Sequence, residues 1–472
     1  MIATDRSSVD RVSINVLPDD ALWEIFHFYR GRHTSLQRWW WKTLVHVCQR
    51  WRQIIFASPQ GLNLQIICNC RTPTRTSLDI WPPLPIAITC SPWDGDVMDG
   101  EPQDNIVAAL EHRDRIISIF IQDQKRLSLK KITAMMQEPF PALTDFHLKS
   151  YDIHTPPLDL PEAFSGGSAP QLRSFALWGI AFPAFPKLAL SAGHLSHLRL
   201  WDIPTIGYIS PEAVGTCLAA LPSLMSLHIG FQSSLSHPDR INLPPQPRAI
   251  LPVLTRFGCQ AHIRYIEDLV ARIDAPLLTR LEIKFFVDSE LAFNIPQLHK
   301  FIARAERLGL LNRVEIKFHY SFVVIVLGLE SPTRVELEIR CNGPSRQVFS
   351  MARVCEQLSS LICRVEHLDV SMHKTQTGWG SVDPTQWIEL LEPFISVQSL
   401  NVFGELSPLV AHALQELTAL RATEVLPSLR RLFLEQPSPS VSMWEDIELF
   451  IARRQHSNHP VDVHYVLYQA SD

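Results

Sequence analysis

Cysteine, histidine and tryptophan carry most of the chemistry this sequence could offer. In "LVHVCQRWRQIIF" (44–56), Cys48 lies beside a basic turn. A nucleophilic cysteine needs a lowered pKa and a base. The nearest histidine, His46, points to another helix face. Cys48 itself falls in line with Leu44, Val47 and Trp51, so it reads as a small apolar residue. Cys68 and Cys70 ("CNC") could be metal ligands, but no second pair accompanies them and Ile66–Cys68 reads as a strand. His456, His459 and His464 are spaced too loosely for a ligand set and read as solvated loop residues. Trp39, Trp40 and Trp41, flanked by Arg38 and Lys42, could stack on a base or lie at a membrane interface. A helix-packing cluster is the plainer reading. No Walker loop, dinucleotide fingerprint, Gly-x-Ser-x-Gly elbow or His-Glu-x-x-His motif occurs. No catalytic residue, metal or cofactor is therefore expected.

These residues need a scaffold, and the chain is long enough to supply one. Its 472 residues suit several domains or one repeat array. At 46% hydrophobic and 19% charged residues it can build a core. The net charge of −5 argues against a phosphate-driven nucleic-acid binder. Thirty-five prolines against 18 glycines favour stiff connections. The opening "MIATDRSSVDRVS" has no apolar run, and the longest such run, 322–329 ("FVVIVLGL"), is too short for a spanning helix. Nine scattered cysteines and no Asn-x-Ser/Thr acceptor point to a reduced, intracellular protein, cytoplasmic or nuclear, with no membrane partner.

Near the N-terminus, "LPDDALWEIFHFY" (17–29) opens with proline at the first helical position, where the missing N–H costs nothing. Asp19 and Asp20 follow in the first turn, where the helix dipole favours anions. Leu22, Ile25, Phe26 and Tyr29 make one apolar stripe, and Leu44, Val47, Cys48, Trp51, Ile54 and Ile55 make another. "LPDDALWEIF" followed by "VCQRW" resembles an F-box, through Leu17, Pro18, Leu22, Ile25, Val47, Cys48 and Trp51. The resemblance covers residues 14–57. It implies a short helical module whose seven named residues form or brace an apolar surface for a Skp-type adaptor of cullin-based ubiquitin ligases. Beyond it, "SPQGLNLQII", "LPSLRRLFLE" and "FIARRQHSNHPV" are similar to segments of the large F-box family of mushroom-forming fungi. The long segment between the two F-box motifs, with its three tryptophans, departs from the family pattern.

The remainder repeats an apolar anchor, two variable residues, an apolar residue, a variable residue and another apolar residue. Copies begin at Ile116, Leu143, Leu172, Leu195, Leu224, Leu254, Leu278, Leu311, Val365, Val397 and Leu429, and "RVELEI" at Arg334 fits without its anchor. The first seven anchors stand 23 to 30 residues apart, near the period of leucine-rich repeats, although the standard asparagine is missing. Proline precedes many anchors by two residues. Each unit predicts a short strand and a return, helical at "DNIVAALEHR" and "PEAVGTCLAAL"; "PQLHKFIARAERL" from Pro296 fits strand or helix. Neighbouring strands would pair in parallel. The residues between the apolar positions would line one exposed face: Asp145, His147, His197, Arg199, Ser226, His228, Arg256, Arg280 and Glu282. Trp178 and Trp201, at equal offset from their anchors, could anchor a partner; core packing or a ridge between repeats is the alternative. A Ser442–Glu445 capping box predicts a last helix with Met443, Ile447, Phe450 and Ile451 on one face, then a strand at "VDVHYV".

The expected fold is a small all-α N-terminal unit followed by an irregular α/β solenoid with a parallel sheet. Residues 1–13 form a disordered tail and 14–57 the F-box. Residues 58–115 are linker and N-terminal cap, 116–434 the leucine-rich-repeat-like array, and 435–472 a capping helix and strand. The expected function is the substrate receptor of a Skp–cullin–F-box ubiquitin ligase, not an enzyme. His147, Trp178, His197, Arg199, Trp201, His228 and Arg280 would meet a protein target. The alternative is a repeat scaffold with no ligase attached.

Overall fold

The computed structural model describes residues 14–32, 40–57, 59, 61–70, 73–91, 102–123, 129–151, 158–233, 248–286, 293–309, 312–328, 332–373, 378–417, 421–436 and 441–467. The expected tail (1–13), Trp39, and the side chains of Ser442, Met443 and Glu445 lie outside what is described.

Among the described residues, one sixteen-stranded sheet organises the chain. Across it run Ile66–Asn69, Ile86–Cys90, Ile116–Asp123, Asp145–Ser150, Ser174–Trp178, His197–Ile203, Ser226–Phe231, Arg256–His262, Arg280–Phe286, Arg334–Arg340, Val323–Leu327, Arg313–Phe318, His367–Met372, Ser399–Val402, Arg431–Gln436 and Asp462–Leu467. Every strand with an anchor begins two residues after it, except at Ile116, where the anchor itself opens the strand.

The recurring proline has a local cause. In 140–143, 169–172, 221–224, 251–254, 275–278 and 426–429, the anchor N–H donates to the carbonyl three residues earlier. Each is a β-turn with proline at its second position, where the fixed φ is already correct. The turn drives the anchor inward: Leu143, Leu172, Leu224, Leu254, Leu278 and Leu429 are all buried. The residue after the anchor ties repeat to repeat. Thr144 Oγ1 donates to the Ile117 carbonyl at 2.9 Å, Ser196 Oγ to Arg173 at 2.9 Å, Thr255 Oγ1 to Met225 at 3.1 Å and Thr279 Oγ1 to Thr255 at 3.0 Å. This hydroxyl ladder runs where the standard asparagine is absent.

Apolar ladders form the core. Ile119, Phe146, Phe175, Leu198, Leu227, Phe257 and Leu281 stand in register on consecutive strands, all buried. Return helices cover this side, including Pro211–Ala219, Ile263–Ala271, Pro296–Arg304, Pro344–Gln357 and Pro384–Leu391, each opened by proline or following a strand directly. "PQLHKFIARAERL" thus resolves as helix. Its start lacks a cap of its own, and Glu267 on the preceding helix supplies one, accepting from the Gln297 and Leu298 N–H groups at 2.8 Å each.

The structure corrects or adds to three sequence expectations. First, the sheet is not wholly parallel. The Arg280–Phe286 strand pairs next with Arg334–Arg340, because Arg313–Phe318 turns back through Val323–Leu327, which is antiparallel to both neighbours. The run considered only as too short for a membrane is a strand buried on both faces. Among the described residues no helix is long and apolar enough to cross a membrane. Second, residues 58–115, expected as linker and N-terminal cap, supply the first two strands and the helices Thr74–Ile80 and Pro102–Leu110. Third, the stripe from Leu44 to Ile55 is not one helix. Trp40–Val45 and Gln49–Ala57 are separated at 46–48, so Leu44 turns inward while Val47 is exposed and Cys48 half-buried at the break.

The N-terminal helices share the sheet's core. Trp41 meets Phe56 and Trp81 edge-on and donates from Nε1 to the Gln65 carbonyl at 3.3 Å. At the other end, Ile447 and Phe450 of helix Val441–His456 are buried and Ile451 is partly so. The closing strand Asp462–Leu467 pairs in parallel with Arg431–Gln436.

Candidate functional site

Alternation along each strand sends every second side chain to the face opposite the helices. Register fixes what stands beside what. One row reads Phe120, His147, Ala176, Arg199, His228, Gly258, Glu282 and Glu336. The row beside it reads Asp145, Ser174, His197, Ser226, Arg256, Arg280 and Arg334. The exposed-face residues read from the sequence therefore lie on one surface. Trp178 and Trp201 are register partners on it.

A hollow of about 340 Å³ opens over Ala176, whose small side chain leaves room between His147 and Arg199. His147 Nε2 lies 3.0 Å from Ser174 Oγ, and His228 Nδ1 lies 3.4 Å from Ser226 Oγ. Burial lowers the His147 pKa, with Asp145 opposing and Arg199 and His197 reinforcing. Burial, and then Arg199, lowers His228 to about 4. Both imidazoles are therefore neutral at pH 7, and the fixed positive charge of the hollow comes from guanidinium and ammonium groups.

Two glycines shape the surface. A Cβ on Gly258 would stand 2.4 Å from His228 Cδ2, and one on Gly230 would stand 2.9 Å from Trp201 Cε3. The rings lie across these bare positions. Trp201 is only 9% exposed, so it packs into the ridge between repeats and is not a free anchor. Trp178 is half-buried, its ring 3.8 Å from Lys149 Nζ, and it hydrogen-bonds Asp202. Burial raises the Asp202 pKa against this bond and the nearby Arg340, Gln260 and Lys149.

Past the Arg280–Phe286 strand the face changes character. Glu338, buried, pairs with Lys284 at 3.2 Å and Arg340 at 3.1 Å. Burial acts to lower the Lys284 pKa, but Glu338 and Glu282 outweigh it and hold it raised. Arg334–Glu336, Lys317–Glu315 and Arg313–Asp369 pairs follow at 2.7, 2.7 and 2.8 Å. A second pocket, about 490 Å³, opens beside Glu338, Arg340, Cys341 and Arg346 where the strand order reverses. Lys149, Ser174 and Lys284 were findable by the same alternation that found their neighbours. Asp202 was not: it sits at φ 51° in an irregular register, where alternation fails.

The other candidates divide. Cys68 is buried, and burial pushes its thiol up to about 11; Cys70 is buried too. Among the described residues no group of three His, Cys, Asp or Glu could hold a metal. His456, His459 and His464 are exposed, and His464 stacks on Phe433. Of the seven residues at the N-terminus, Leu22 and Trp51 are core, Leu17 and Cys48 are partly buried, and Pro18, Ile25 and Val47 are exposed. Arg50 donates to the Leu17 carbonyl and to Asp19 at 2.6 Å each, drawing the 17–19 segment toward the start of the Gln49–Ala57 helix.

The neutral imidazoles make stability depend on pH. His228 ordinarily titrates near 6.5 and here near 4, so the unfolded chain takes up its proton first. Its contribution is intact above about pH 6.5 and is lost as pH falls toward 4, up to about 3 kcal/mol. Urea unfolding of wild type and His228→Gln at pH 7.5 and 4.5 should show a shallower pH dependence in the variant. Equal slopes would contradict the burial of this ring.

No family model matches the sequence, and no curated protein does. Among solved structures, the chain is similar to the leucine-rich repeat-containing protein LegL7 of Legionella pneumophila. The match has 10% identity and a TM-score of 0.27, and covers 75% of this chain and 94% of that one.

Proposed function

We propose that the chain is a receptor that joins a protein target to a ubiquitin ligase of the Skp–cullin–F-box type. The open face of the sheet takes the target. The N-terminal helices take the Skp-type adaptor. The chain does no covalent chemistry of its own; it raises the effective concentration of the target near the conjugating machinery, in the cytoplasm or nucleus. It requires no cofactor, nucleic acid or membrane.

One observation carries the adaptor half. Ile14, Val16, Ile25 and Val47 are exposed, Val16 at 74% and Val47 at 55%, all within 14–57. Exposed apolar side chains on the 14–16 turn, the Asp19–Arg32 helix and the break at 46–48 suit a surface that a partner covers. The target half is supported by the long, mixed-polarity open face. A scaffold without a ligase is the second reading, favoured by the way Trp41 and Trp81 join the helices to the sheet as one core.

The test is capture of a purified Skp-type adaptor by the full chain. Ile25→Asp with Val47→Asp should weaken capture at least tenfold. Stability should change little, since both side chains are exposed. Undiminished capture by the double variant would remove the adaptor role and leave the scaffold.

A further inference from the structure

The open face holds two populations of charge. From Lys284 onward, Lys284, Arg313, Lys317, Arg334 and Arg340 are matched by carboxylates within 3.2 Å. Arg199, Arg256 and Arg280 are exposed, and their guanidinium groups make no ion pair or hydrogen bond among the described residues. The nearest acid in register, Glu282, is already held by Lys284. The same sheet thus neutralises one stretch internally and leaves its neighbour unmatched.

The geometry points to an acidic, extended segment of a protein partner, lying across the strands from His197–Ile203 to Arg280–Phe286, as the ligand of these three arginines. Arg199 and Arg280 are three strand spacings apart, roughly 14 Å at about 4.8 Å per strand. A single phosphorylated side chain is too compact to meet both ends. An extended peptide advances about 3.3 Å per residue, so four or five residues cover the span. Carboxylates on alternate residues then face the sheet. Guanidinium groups bind carboxylates through two parallel hydrogen bonds. Ser174 and the neutral imidazoles, all only partly buried, offer further polar contacts without adding charge. The length of the segment is bounded as well. A longer polyanion, such as a nucleic acid, would run onto a stretch whose cations are already taken by Glu282, Glu336 and Glu338 and gain no free partner there.

This inference rests on the open face being the partner-binding surface. It is tested with the full chain and three fluorescein-labelled ten-residue peptides. One alternates glutamate with serine, one replaces every glutamate by glutamine, and one carries a single phosphoserine in the glutamine background. The glutamate peptide should bind more tightly than the other two, and more weakly as salt rises. Arg256→Glu with Arg280→Glu should weaken it at least tenfold. Arg431→Glu, exposed at the far end of the sheet, should change it less than twofold. If the double reversal lowers the melting temperature, Arg256→Gln with Arg280→Gln replaces it and should still cost at least threefold. Absent binding, equal binding of the glutamine peptide, tighter binding of the phosphoserine peptide, or equal sensitivity to Arg431→Glu would each overturn the inference. Adaptor capture is read separately and does not depend on these arginines, so its failure and failure here are distinguishable.

Discussion

Trp41→Ala should destabilise the chain by about 3–5 kcal/mol, the cost of removing a fully buried indole that the surroundings cannot refill. Trp41 is 1% exposed, and its ring is fixed edge-on by Phe56 and Trp81. Its Nε1 donor satisfies the Gln65 carbonyl one residue before the first strand, so truncation also leaves that acceptor unpaired. The loss should be local in character. Trp41 is where the N-terminal helices meet the repeat array, so amides in Gln49–Ala57 should lose hydrogen-exchange protection before those of Arg256–His262. Trp40→Ala, at a half-buried neighbour, should cost distinctly less. If the two variants unfold at the same urea concentration, Trp41 does not hold the junction.

Arg454→Ala should cost a comparable amount at the other end, about 3–5 kcal/mol. Arg454 is 0% exposed in helix Val441–His456. Its guanidinium donates to the carbonyls of Leu426, Leu429 and His459 at 3.3, 3.1 and 3.2 Å. Burial lowers its pKa, the mark of a cation held away from water. It links the last proline turn, the closing helix and the approach to the final strand. Arg454→Lys should recover only part of the loss, because one compact ammonium cannot reach three carbonyls set around a planar fork. Thermal unfolding, with exchange measured in Asp462–Leu467, checks both variants. A lysine variant as stable as wild type would show that charge alone, not the fork, is needed there.

Much of the solenoid could be read from the residues because its signals are local. A proline turn, a buried anchor and two-residue alternation recur in each copy, and each acts within about ten residues. What the residues did not disclose is set at longer range. "VVIVL" has no alternation to orient it, since both its faces are covered, and nothing nearby says that its strand runs backward. The pairing of Arg280–Phe286 with Arg334–Arg340 skips two strands and depends on that reversal. The short strand Ile86–Cys90 lacks an anchor of the repeat type. At the open face, alternation placed His147, Arg199 and Arg256 correctly. The contrast between matched and unmatched arginines depends on cross-strand neighbours, which only register supplies. Trp201 shows the same limit: its offset matches that of Trp178, but the bare Gly230 beside it lets the ring fold flat and become buried. At the N-terminus, the apolar stripe runs unbroken through 46–48 in the sequence, but the helix breaks there and turns Val47 outward.

Hydrogen exchange of the full chain, alone and with a purified Skp-type adaptor, tests the proposed two-part receptor most directly. The expected result is new protection confined to residues 14–57, chiefly in Asp19–Arg32 and the turn at 46–48, with exchange in strands from Ile116–Asp123 to Arg334–Arg340 unchanged. Protection spread over the open face of the sheet, or no protection anywhere at saturating adaptor, would contradict it.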